Sequence, residues 1–199
     1  MPSTLEGPIR LVGKHSATWL PTVQPSLLAD RNLRELGKLA VWSVTSAKPG
    51  NGVELLRDGQ EGTYWQSDGT QPHLVNIQFQ KKVRLQELAI YLDYKLDESY
   101  TPNKLSVRAG TSFHDLKEIR VIDLEEPVGW VVAPLLAPGS TSCLKAYFVQ
   151  LAVLSNHQNG RDTHIRQIKI FGPRQDPVRA LGHQVGFTTT DFSMYAAVR

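Results

Sequence analysis

Cysteine is almost absent from these 199 residues: Cys143 stands alone. It can close no intrachain disulfide, which excludes a small disulfide-stapled secreted scaffold and points to a reducing compartment. Long apolar runs are also missing. No segment reaches the roughly 18 uninterrupted apolar residues of a membrane-spanning helix, so no membrane partner is expected. The first residues contain no signal-peptide apolar core, and Glu6, Pro2, Pro8 and Pro21 fit an amphipathic transit peptide poorly. Residence in the nucleus and cytoplasm is the resulting expectation.

Charge of one sign is scarce too. Lys and Arg number 22 against 19 Asp and Glu, a net charge of +3. Lys81, Lys82 and Arg84 form a short basic patch read as a turn, while Arg161, Arg166 and Lys169 are interrupted by neutral residues. Neither is the basic stripe with aromatic platforms that nucleic acid requires, so no nucleic-acid partner is expected.

The short motifs of catalysis are missing as well. There is no G-x-S-x-G elbow and no H-E-x-x-H helix, and a lone cysteine makes no C-x-x-C. Gly50 and Gly52 in KPGNG, and Gly59 and Gly62 beyond them, match neither dinucleotide nor P-loop spacing and read as turn glycines. Of six histidines only His157 and His164 lie close in sequence. They lack zinc spacing and would face opposite sides of a strand. No catalytic residue, cofactor or metal is expected.

What is present describes one globular domain with extensions. Hydrophobic residues make up 41% and charged residues 21%, a composition suited to a packed core rather than to disorder. Residues 1–24 read as a flexible arm rich in Pro, Ser and Thr. From Pro25 to Leu39, the spacing of Leu28, Leu33, Leu36 and Leu39 predicts a short helix ending near Gly37. Beyond it come brief apolar runs, several with period-two alternation: 41–45, 73–79, 85–91, 104–109, 119–124, 129–134, 146–154 and 166–171. Turn clusters such as KPGNG, SDGTQP, YTPN and NHQNG separate them. Many short strands without long helices between them predict an all-β antiparallel sandwich or barrel over 25–172. Residues 173–199 lose periodicity yet carry Phe187, Phe192, Met194 and Tyr195. Composition leaves open a recognition tail or a last strand folded onto the body.

Polar chemistry gathers in loops. Leu56–Phe79 holds Asp58–Gly59 and Asp68–Gly69 turns beside Tyr64 and Trp65, and a buried Trp65 would need an acceptor for its indole N–H. DYKLDESYTPNK offers Ser99 and Tyr100; LSNHQNGRD offers Asn156, His157, Gln158, Asn159 and Arg161. Such side chains on turns between rigid strands suit hydrogen bonding to an extended peptide.

Three strings then carry a resemblance: VWSVTSAKPGNGVELLRDGQEGTYWQSDGTQPHLVNIQF, YLDYKLDESYTPNKLSVRAG and QLAVLSNHQNGRDTHIRQIKIF. They resemble the Doc-domain family of substrate-recognition subunits of the anaphase-promoting complex, a multisubunit ubiquitin ligase. The resemblance implies a galactose-binding-like jelly-roll β-sandwich with a short N-terminal helix and an extended C-terminal tail. It also implies a noncatalytic role: the subunit and a WD40 coactivator together hold the destruction-box degron, raising processivity, while cullin and RING subunits with an E2 enzyme transfer ubiquitin. Ser99, Tyr100, Asn156, His157, Gln158, Asn159 and Arg161 are then the degron-binding set. Ser99 and Asn156 lead as direct hydrogen-bonding groups, and Arg161 braces a carboxylate. The family tail ends in Ile-Arg, which docks to a tetratricopeptide-repeat subunit; here the end is Val198 and Arg199. The missing methylene is worth roughly 0.8 kcal/mol if fully buried. The competing expectation is a carbohydrate-binding module on the same scaffold.

Overall fold

A computed structural model describes residues 32–136 and 142–174, together with the backbone strand Ala17–Thr18. That strand is β1. The others are β2 (Leu33–Glu35), β3 (Ala40–Val44), β4 (Trp65–Gln66), β5 (His73–Leu85), β6 (Glu87–Asp93), β7 (Pro102–Gly110), β8 (Lys117–Asp123), β9 (Val128–Pro134), β10 (Leu144–Asn156), β11 (His164–Ile165) and β12 (Gln167–Pro173). Helix is confined to α1 (Tyr94–Asp97) and short 3-10 turns among the described residues.

Two sheets face each other. The larger has the order β1-β8-β7-β10-β5-β3 and the smaller β2-β12-β6-β9; β4 and β11 form a separate short ribbon. All pairings are antiparallel except that of β1 with β8. Alternation supplies the inner faces: Val75, Ile77 and Phe79 on β5, Leu105 and Val107 on β7, Leu88, Ile90 and Leu92 on β6, and Ile168 and Ile170 on β12 enter one core. Central β10 is paired on both edges, and from Phe148 to Val153 consecutive residues are buried, which is why its middle is mostly apolar. Where its neighbour is polar, Gln150 Nε2 donates to Asn76 Oδ1 at 2.9 Å across the ladder. Trp65 is fully buried in the core, and its Nε1–H donates to the Ser46 carbonyl at 2.9 Å, the loop acceptor an enclosed indole needs.

The expected strands appear with shifted ends, and the expected N-terminal helix is corrected over its described part. Leu33–Glu35 pairs with β12 in the register Phe171↔Glu35, and Gly37–Leu39 is a 3-10 turn. The leucine spacing misled because it was read as one stripe. Leu36 enters the core from the turn while Leu39 is 51% exposed, so pairing with the β12 edge overrides helical propensity. Lys81, Lys82 and Arg84, expected in a turn, lie within β5, where the register against β10 slips between Ala146 and Phe148. Within the expected arm, Ala17–Thr18 pairs with β8, and the ladder of β2 and β12 reaches Pro173. The rest of the arm, residues 25–31, and the tail beyond 174 with Val198 and Arg199 lie outside the described residues.

Candidate functional site

The antiparallel registers decide which loops share an end. Val153 pairs with His73 and Asn156 with Pro102, so the end of β10 lies beside the starts of β5 and β7. The loops 67–72, 94–101 and 157–163 therefore emerge together. Ser99 and Tyr100 reach the same place as residues 156–161 although more than fifty positions separate them.

Each loop has a local cause. Asp93 caps α1, its Oδ1 accepting from the backbone N–H of Lys95 at 3.1 Å and Leu96 at 3.3 Å. Glu98 then takes φ 43°, which turns the chain into Ser99 and Tyr100. In the second loop Gln158 and Asn159 are both left-handed, φ 52° and 57°. Asparagine tolerates that region better than glutamine, and such residues persist only where surroundings hold them, at about 1–3 kcal/mol each.

Asn156 does much of that holding. It is 2% exposed, and its Nδ2 donates to the carbonyls of Gly160 at 3.1 Å and Asp162 at 2.8 Å, closing the loop on itself. The sequence reading expects a direct hydrogen-bonding group here; in the structure the Nδ2 of Asn156 is spent on organising its own loop. Gln71 Nε2 donates to the Gly160 carbonyl at 2.9 Å, and the Arg161 carbonyl lies 2.7 Å from His73 Nε2. The His157 backbone N–H donates to Thr101 O at 2.9 Å, tying the second loop to the first.

The His157 ring repeats that tie. Its Nε2 accepts the Glu126 backbone N–H at 3.3 Å, so Nδ1 carries the proton and donates to Thr101 O at 3.0 Å. Nitrogen-15 NMR of neutral His157 is expected to show the Nδ1–H tautomer; an Nε2–H signature would remove this assignment.

Where the two loops meet, backbone touches backbone. A Cβ built on Gly160 would lie 1.8 Å from the Ser99 carbonyl oxygen. Gln158 Nε2 donates to the Tyr94 hydroxyl at 3.3 Å and Thr163 Oγ1 to the Tyr100 carbonyl at 3.3 Å. Tyr100, Gln158, Asn159 and Arg161 are exposed, and Ser99 and His157 are half-buried. The expected set thus forms one surface, with Asn156 beneath it. Beside it Gly69, Thr70, Gln71, Asn159, Gly160 and Arg161 line an open cavity of about 240 Å³.

Arg161 is not the brace it was expected to be. Its guanidinium makes no ion pair among the described residues, and the carboxylate is braced by Arg166. Arg166 Nε donates to Asp97 Oδ2 and its Nη2 to Oδ1, both at 2.8 Å, while Nη1 donates to Glu61 O at 2.9 Å. His164 Nδ1 donates to the same Asp97 Oδ1 at 3.0 Å, and its ring lies between Tyr64 and Tyr100. All three charged or titratable side chains are buried. Burial pushes the Asp97 carboxyl up, but the hydrogen bonds and positive charge of its partners outweigh that and hold it below the ordinary aspartate value.

Sequence reasoning missed Asp97, His164, Arg166, Tyr64 as a stacking partner, Gln71, His73 and Gly160. Asp97 sits in an acidic run that reads as solvated, and nothing local marks Arg166 as its partner. His157 and His164, noted as close in sequence, bond to different groups, Thr101 O and Asp97. The Asp58 turn is as expected: Oδ1 accepts the Gln60 N–H at 2.8 Å and Oδ2 the Thr63 hydroxyl at 2.6 Å. Among the described residues, four buried side-chain atoms lack a hydrogen-bond partner, His73 Nδ1, Thr101 Oγ1, Asn156 Oδ1 and His164 Nε2. All four residues belong to this loop end, so the unspent polar capacity of the interior gathers where the loops converge.

Comparison with known proteins matches residues 16–197 to the family described as Anaphase-promoting complex, subunit 10 (APC10). The Drosophila melanogaster protein named Anaphase-promoting complex subunit 10 is 50% identical over 185 residues, 90% of this chain and 93% of that protein. Its Homo sapiens namesake is 54% identical over 167 residues, 84% and 89% of the two chains. Among solved structures, the family 32 carbohydrate-binding module of Clostridium perfringens NanJ, in complex with galactose, superposes with TM-score 0.58 at 12% identity, covering 70% of this chain and 98% of that one. The paired family 32 domains of Clostridium perfringens ZmpB give TM-score 0.64 at 15% identity, covering 77% and 40%. At those identities the structures establish the jelly-roll sandwich and nothing about ligand.

Proposed function

This chain belongs to the anaphase-promoting complex subunit 10 family, and on that premise we propose that it is a noncatalytic substrate-recognition and processivity subunit of that ubiquitin ligase. Together with a WD40 coactivator it forms a co-receptor for destruction-box substrates. The observation that carries this reading is the convergence of the Ser99–Tyr100 loop on residues 156–161, with Gly160 against the Ser99 carbonyl. An extended peptide needs donors and acceptors in a row on a stiff support. Ser99, Gln158, Asn159 and Arg161 supply them, and Asn156 and His157 hold the support.

The gain is kinetic. Each half of a composite site binds weakly, but linking the halves lengthens the substrate's residence and raises the number of ubiquitins added per encounter without adding a catalytic group. Transfer itself belongs to cullin and RING subunits with an E2 enzyme. Val198 and Arg199 are the proposed docking residues for a tetratricopeptide-repeat subunit, and the nucleus and cytoplasm are the proposed locations. Carbohydrate binding is the competing reading, favoured by the fold of the superposed modules alone.

The test compares ligase lacking this chain, ligase with it restored, and ligase carrying Ser99→Ala plus Asn156→Ala, with incorporation checked. The intact chain is expected to restore multiubiquitination of a destruction-box substrate. The incorporated double variant should fall short by at least roughly three- to tenfold, the worth of one lost Ser99 hydrogen bond of up to about 1.5 kcal/mol, with the two intraloop bonds of Asn156 lost in addition. Equal restoration by both would move recognition elsewhere. Glycan binding by the full chain that Tyr100→Ala abolishes, with no contribution to ubiquitination, would favour the carbohydrate reading.

A further inference from the structure

Tyr100 presents an exposed ring at this loop end, and what lies behind it is unusual for a surface tyrosine. One face stacks on His164, with centroids 4.3 Å apart and planes at 12°, while the residue remains 39% exposed. The exposure therefore belongs to the opposite face and the ring edge. His164 is covered on its other side by Tyr64, with centroids 4.1 Å apart and planes at 23°. Its Nδ1–H reaches Asp97 Oδ1 at 3.0 Å, and Asp97 is pinned by two hydrogen bonds from Arg166. The imidazole can neither slide between the tyrosines nor rotate about its own bond without giving up that hydrogen bond.

We infer that His164 is a positioning residue for recognition: held by Tyr64 and Asp97, it fixes the plane of Tyr100, whose outward face is a platform for a side chain of the bound degron. The inference rests on the reading of the Ser99–Tyr100 loop as degron-facing. It adds a residue that is itself buried and touches no ligand. A ring alone at position 164, stacked on Tyr64, would support Tyr100 but leave Asp97 without this donor; a hydrogen-bond donor alone would satisfy Asp97 but leave Tyr100 unsupported. Histidine does both, which separates recognition from stability experimentally.

The experiment uses the full chain incorporated into the ligase, with His164→Phe, His164→Gln, His164→Ala and Tyr100→Ala. Two quantities are read: ubiquitins added per binding event, and thermal melting of the full chain. His164→Ala is expected to lower processivity about fivefold, the size of one lost aromatic contact. Tyr100→Ala should match it, His164→Gln should remain close to it, and His164→Phe should restore most of the loss. Melting should order differently, with His164→Gln nearest the parent because it retains a donor for Asp97. If processivity instead tracks melting across the three His164 variants, the role is merely structural and the inference is overturned. Full processivity of Tyr100→Ala, with loss in Ser99→Ala plus Asn156→Ala, overturns it while leaving the recognition surface in place. Full processivity in both removes the surface and the inference together.

Discussion

Gly160→Ala is expected to push the 94–101 and 157–163 loops apart and, on the proposed co-receptor reading, to lower destruction-box-dependent ubiquitination about tenfold or more, while leaving the sandwich folded. The backbone at 160 has φ −58° and ψ 139°, a conformation any residue adopts, so conformational strain is not the cause. The cause is space. An added Cβ falls 1.8 Å from the Ser99 carbonyl oxygen and 2.8 Å from its carbon, and a backbone carbonyl cannot rotate aside as a side chain would. Either the 94–101 loop retreats or Gly160 loses the hydrogen bonds that its carbonyl accepts from Asn156 and Gln71.

Overpacking of this kind costs about 1–3 kcal/mol, within the 5–15 kcal/mol by which a domain is stable. Melting should therefore drop by a few degrees and remain cooperative, whereas recognition, which needs both loops in register, should fail. Gly62→Ala is the matched control, because nothing lies within 4 Å of a Cβ there. Processivity that survived Gly160→Ala would mean the two loops act independently.

The second large effect is expected at Asp97. Its removal leaves the Arg166 guanidinium buried without its carboxylate and His164 Nδ1 without its acceptor. Breaking a buried pair from one side costs about 3–5 kcal/mol, far more than the net worth of the intact pair, because the surviving charge stays desolvated. Asp97→Asn keeps the volume and isolates the charge. The pH dependence has a definite sign. Asp97 is held below the ordinary value of 3.8 in the folded chain by its partners against the opposing pull of burial. Its contribution is therefore complete above the unfolded value and is lost as pH falls through the lower folded value. Denaturant melts should show the parent well ahead of Asp97→Asn at pH 7, with the gap closing as pH drops below about 4. A gap constant across that range would mean that the charge of Asp97 does not carry the effect.

Legibility in the sequence followed the distance over which each interaction acts. Alternation in Leu74–Phe79 and Lys104–Ala109 is local and marked strands that the sandwich contains. The turn residues of NHQNG and the need of Trp65 for an acceptor were equally local, and both hold. The leucines from 28 to 39 obeyed a helical period, yet the described part lies along β12 because edge pairing with Phe171–Pro173 outweighs propensity. Asp97 and Arg166 were illegible for a different reason. Each looks like an ordinary surface charge, and only the fold brings them within 2.8 Å at a buried point.

The same division holds for the site. By itself the sequence determined the jelly-roll class, the two polar turn-bounded loops and the family, because period, turn chemistry and long matching strings are properties of contiguous residues. The tertiary structure alone decided that Asn156 is buried and closes its own loop, that Arg166 holds the Asp97 carboxylate while Arg161 makes no ion pair among the described residues, and that Gly160 must be glycine. Those facts depend on burial and on backbone approach between segments some sixty residues apart, and antiparallel registers across two sheets set both.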